Sequence, residues 1–124
     1  VVTMDAAQYR EAALQTERMI EEHPNLAGLF VTSAIMSLGA VDTLSEHTAH
    51  PVLVGVDTQN DALRALRDGR IDAIISQDGN DTGRMAIEAV SDALAGRTIP
   101  ANSYITNALI TAVNAEDYLL QEDF

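Results

Sequence analysis

The chain has 124 residues, a formal charge of −12, no cysteine, and seven basic residues that are all arginine. This is one domain's worth of chain, long enough to bury a core. Its acidity argues against nucleic-acid binding by this segment, because neutralising phosphates needs a basic face. Without lysine there is no Walker-type phosphate loop, no Schiff-base chemistry and no lysine partner for a phospho-accepting aspartate. Without cysteine there is no thiolate nucleophile, disulfide or thiolate metal site.

After a brief extended run at residues 1–3, Asp5 with Gln8 three positions on reads as a capping box opening a helix. Tyr9, Ala13, Thr16 and Ile20 recur on one face of that helix, which should stop before His23-Pro24. Residues 26–31 form the next predicted strand. Thr32-Ser33 then opens a helix with Ala34, Leu38, Val41 and Leu44 at helical spacing, limited by Pro51. Residues 52–56, the apolar run VLVGV, read as a parallel strand buried on both faces.

Asn60 or Asp61 is expected to cap a short helix that Asp68-Gly69 closes. Residues 71–76 are a fourth strand, and the segment NDTG at residues 80–83 opens a longer helix ended by Gly96. After Pro100, residues 104–113 are apolar enough for a further strand, and Asn114 with Asp117 could cap a last short helix. This alternation predicts an α/β fold, a parallel sheet with flanking helices joined by right-handed crossovers.

Three apolar runs end in a polar residue: Ser33, Asp57 and Gln77. Parallel sheets bind ligands just beyond the carboxyl ends of their strands, so these are the candidate ligand-binding residues. Each has a plainer structural use. Asp57 could cap the following helix or accept from the backbone of the next turn, Gln77 could satisfy loop carbonyls, and Ser33 stands where a helix N-cap is expected. From position alone, the two readings of Asp57 weigh equally.

His47 and His50 share one turn beside Glu46, but with no third ligand at a persuasive spacing a polar helix end explains them, and no metal site is expected. No GxSxG, HExxH, GxGxxG or EF-hand pattern is present, and Asp57 has no evident catalytic partner, so no enzyme and no cofactor is expected.

The stretches EEHPNLAGLFVTSAIMSLGAVDTL, PVLVGVDT and ALRALRDGRIDAIISQDGNDTGRMAIEAVSDALAGRTIP, with the tail ITNALITAVNAEDYL, resemble the C-terminal lobe of the type 1 periplasmic sugar-binding proteins. That resemblance implies a flavodoxin-like lobe over residues 1–113, followed by a terminal helix and tail at 114–124. By it, Asp57 matches the family's sugar-hydroxyl acceptor and Gln77 the ligand-binding Gln of the next strand end. Ser33-Ala34 stands where many members carry Asn-Asp, so this chain departs from the family there.

The resemblance further implies that the chain begins at the lobe's second strand, so that the first strand and helix are lacking and a central slot is open. Self-association of such a fragment is expected. The function implied is the solute-binding component of an ABC-type sugar importer, periplasmic or otherwise extracytoplasmic. Its lobe would hydrogen-bond a monosaccharide or polyol and work with an N-terminal lobe and importer membrane subunits. The alternative is the effector-binding domain of a lac-repressor-family regulator, which would be cytoplasmic.

Overall fold

The computed structural model describes residues 8–48 and 50–119. The expected strand at residues 1–3 and the Asp5 cap lie outside the described residues. Two units divide the chain, Val1–Ser76 with Leu109–Phe124, and Gln77–Ala108.

In the first unit, helix α1 (Tyr9–Glu22) leads to strand β1 (Gly28–Phe30), helix α2 (Ala34–Ser45), strand β2 (Val52–Val56), helix α3 (Asn60–Arg67) and strand β3 (Ala73–Ile75). Strand β4 (Leu109–Ile110) completes the sheet, in the order β1-β2-β3-β4. The pairs β1/β2 and β2/β3 are parallel, with Phe30 opposite Val54 and Val56 opposite Ile75. Strand β4 pairs antiparallel to β3, so the sheet is mostly parallel.

Side chains alternate between the faces of a strand, and here one face carries the core. Leu53, Ile74 and Ile110 are buried with Ala34, Val41, Leu63 and Leu66 of α2 and α3. Helix α3 is strongly amphipathic and buries Ala62, Leu63, Ala65 and Leu66. Helix α1 packs on α2 through small residues: a β-carbon at Gly39 would lie 2.3 Å from the Tyr9 carbonyl oxygen. The Thr43 hydroxyl lies 3.2 Å from both the Ala13 and the Gly39 carbonyl oxygens. Tyr9 donates to the Asp42 carboxylate, and that bond, followed by burial, holds the phenol above its ordinary value of 10.0. His47 Nε2 stands 2.8 Å from Glu17 Oε2, a second polar link between the same helices.

On the other face several apolar side chains are exposed. Phe30, Val52 and Leu109 are 58%, 54% and 62% exposed, and the register aligns them with half-buried Val54, Ala73 and Ile75. At the amino ends of the strands, the Asp72 carboxylate accepts from the Leu53 N–H at 2.7 Å while its own N–H donates to the Leu53 carbonyl, which pins β2 to the start of β3.

In the second unit, helix α4 (Gly79–Leu94) is opened by Asp78, whose carboxylate accepts from the Asp81 N–H at 2.9 Å. Arg84 pairs with Glu88 and Asp81 along one side, while Ile87, Val90 and Leu94 are exposed. Gly96, at φ 72°, takes the left-handed conformation expected after the helix end.

Several expected boundaries moved. Gln8 is the N-cap of α1 and Gln59 that of α3, neither with a side-chain cap bond, so Asn60 and Asp61 lie inside the helix. The expected strand over 104–113 shrinks to Leu109–Ile110, because Tyr104 is exposed and β3 offers only a short stretch to pair with. Asn114 does precede a short 3-10 turn, Ala115–Asp117, but its side-chain oxygen accepts from the Thr111 N–H at 2.8 Å instead of capping forwards.

Candidate functional site

Two of the three candidate residues, Ser33 and Asp57, follow the carboxyl ends of adjacent parallel strands. Phe30 and Val54 are the last register partners of β1 and β2, and Ser33 and Asp57 lie beyond them along the chain. Ser76, a buried hydroxyl residue that the sequence patterns did not single out, likewise lies just beyond the last register partners of β2 and β3, Val56 and Ile75.

Ser33 is the N-cap of α2. Its hydroxyl oxygen accepts from the Met36 N–H at 3.4 Å, and its carbonyl accepts from the Ser37 hydroxyl at 2.8 Å. The helix-capping use foreseen for it is real. Capping occupies acceptor capacity, so the hydroxyl proton is what Ser33 has left to offer a ligand.

Asp57 does not serve the helix. Among the described residues no group bonds its carboxylate, and α3 begins after Gln59 without a side-chain cap. The residue is half-buried, its N–H donates to the Ile75 carbonyl at 3.1 Å, and its backbone is left-handed at φ 76°. No other non-glycine described residue has a positive φ. Sequence patterns did not reveal this conformation. The available signal was the residue type itself, since Asp and Asn tolerate it better than other side-chain-bearing residues.

Gln77 opens the second unit and is exposed. It does not cap α4, a task that falls to Asp78. Among the described residues no cluster of three or more metal-ligating side chains is gathered, and His47 is engaged with Glu17. A concavity lined by Leu44, His50, Pro51, Arg70 and Asp72 lies at the opposite end of the sheet, where β2 begins.

A mostly parallel sheet with polar residues just past its carboxyl ends is the arrangement in which α/β lobes take up small molecules. Residues 1–98 match the family described as periplasmic binding protein domain, and the chain belongs to that family. The resemblance to type 1 periplasmic sugar-binding proteins read from the motifs is thereby established; these are binding proteins and not enzymes.

Among curated relatives, the ribose import binding protein of Bacillus subtilis (strain 168) is 28% identical over 101 residues, covering 80% of this chain and 33% of the relative. Its counterpart in Salmonella typhimurium is 28% identical over 86 residues, covering 68% of this chain and 29% of the relative. The chain thus spans about a third of the length of the curated relatives it matches.

Among solved structures, a glucose-galactose binding protein from Geobacillus stearothermophilus superposes with a TM-score of 0.79 at 21% identity, over 86% of this chain and 39% of that one. An ABC transporter periplasmic solute binding protein from Actinobacillus succinogenes with bound D-allose gives 0.76 at 20% identity, over 90% of this chain and 40% of that one. At these identities the structural likeness establishes the fold.

Proposed function

We propose that this chain is the sugar-binding lobe of the solute-binding component of an ABC-type importer, working outside the cytoplasmic membrane. Its ligand is a small uncharged polyol or monosaccharide, held by Asp57, Gln77 and Ser33. The observation that carries the reading is the carboxylate of Asp57, which follows the carboxyl end of β2 directly and is not used to cap α3. A carboxylate only accepts and Ser33 retains a proton to donate, so the pair suits a hydroxyl, which does both. An anionic ligand would meet Asp57 and a chain of charge −12.

Residues 1–113 form the ligand-binding lobe in this reading, residues 114–124 its terminal segment, and an opposing lobe supplies the other ligand contacts. The curated relatives named above are import binding proteins, which favours transport over the lac-repressor-type alternative.

The test is calorimetric titration of D-ribose, D-allose and D-galactose into the protein with its opposing lobe present, alongside Asp57→Asn. The amide preserves shape and removes the charge. Loss of a charge-assisted hydrogen bond costs roughly 1.5–3 kcal/mol, about one to two decades in affinity. Equal affinity in the variant would remove Asp57 from the site, and no heat with any of the three sugars would overturn the sugar-binding reading.

A further inference from the structure

The concavity where β2 begins lies within the first unit and shares no residue with Ser33, Asp57 or Gln77. Its volume of about 410 Å³ falls in the range that small-molecule sites occupy. The floor is apolar, made by Val41 and Leu44 of α2 and by Pro51 and Leu53, all of them buried.

The charge around that floor is of one sign once partners are counted. Arg70 at the rim pairs with Asp42 Oδ1 at 3.4 Å, so its guanidinium is answered within the fold. Asp72 is not answered in that way: Oδ2 accepts from the Leu53 N–H at 2.7 Å, which leaves the charge uncancelled, and Oδ1 has no partner among the described residues. Leu44, in the last turn of α2, brings the negative end of that helix to the same place, and no basic residue stands in that turn. The chain as a whole adds a field of net charge −12.

We propose that this concavity is a second binding site, for a small amphipathic cation, a primary amine carrying an apolar body such as a phenyl ring. The ring lies on Val41, Leu44 and Leu53, and the ammonium donates to Asp72 Oδ1 beside the negative end of α2. The inference goes beyond the sugar-binding reading and does not rest on it.

The experiment is NMR titration of the protein with four probes that separate charge from apolar body: 2-phenylethylamine carries both, 2-phenylethanol only the body, ethylamine only the charge, and 3-phenylpropionate the body with the opposite charge. The first should bind tighter than each of the others by about fivefold or more, with the largest shifts at Val41, Leu44 and Leu53. Asp72→Asn keeps an oxygen for the Leu53 N–H and removes the charge, and should weaken 2-phenylethylamine about threefold while leaving 2-phenylethanol unchanged. If that variant does not fold, the order of the four probes on the parent decides alone.

Ethylamine acting at the same concentration would overturn the proposal, since the chain would then only be gathering counter-ions. So would 3-phenylpropionate binding as well as the amine, because Arg70 would then set the preference, and so would shifts centred away from the three floor residues. Absence of a D-ribose response would leave the result standing, because the two sites share no residue.

Discussion

Gly39 shows how a single hydrogen atom in place of a methyl decides a helix contact. A β-carbon there would come within 2.3 Å of the Tyr9 carbonyl oxygen and 3.3 Å of the Ala13 nitrogen, so Gly39→Ala must push α1 away from α2. Overpacking of this kind costs about 1–3 kcal/mol. We expect a lower urea midpoint with an unchanged m-value, and a midpoint equal to the parent's would mean that α1 adjusts freely on α2. Such close approaches are illegible in sequence, because a glycine inside a helical pattern reads only as a weak helix former. Ser33 was the opposite case, since a hydroxyl residue ahead of an apolar helical period announces its cap, and the structure places it there. Asp57 lay between these two: its position at a strand end was readable, its left-handed backbone was not.

Among the elements, α1 is tied to the rest of its unit chiefly through α2, and the Tyr9 to Asp42 bond is one of those ties. The bond exists only while the phenol keeps its proton, and the phenol is held above its ordinary value. The folded state therefore binds that proton more tightly than the unfolded state does. The stabilisation is complete below pH 10 and is lost as pH rises through the raised folded value. Tyr9→Phe should remove this alkaline sensitivity: parent and variant should converge in stability above the folded value and separate below it. Denaturant melts at pH 8 and pH 11 check this, and a gap of the same size at both would show that the bond contributes nothing.

The bounds of strand β2 match the expected ones because the apolar run VLVGV between Pro51 and Asp57 leaves little choice. The last strand was over-read. Apolar composition sets strand propensity, but length depends on a partner, and β3 pairs with β4 at only Ile74 and Ile75.

At the scale of the molecule, the exposed apolar residues of the sheet and the edge of β1 that no other described strand pairs are the most consequential surfaces. Strand edges in soluble proteins are usually guarded by charge, proline or a bulge. Residues 26–32 carry no charge or proline, and Phe30 is exposed within them. The chain by itself should therefore associate in sedimentation velocity runs as its concentration rises, and Phe30→Glu should shift it towards monomer. A parent that sediments as a monomer across the range would count against association through this edge.

Among the described residues no strand contains a charged residue, although the chain carries a net charge of −12. Repulsion between copies is therefore long-ranged and sensitive to ions, while attraction between their exposed apolar faces acts only at contact. At about 10 mM salt the screening length is roughly 30 Å and the copies hold one another apart; at about 150 mM it is roughly 8 Å and the faces can meet. Ionic strength, more than concentration alone, thus becomes the control on whether the isolated lobe stays single, and dilute buffer is the condition in which its ligand edge is best studied.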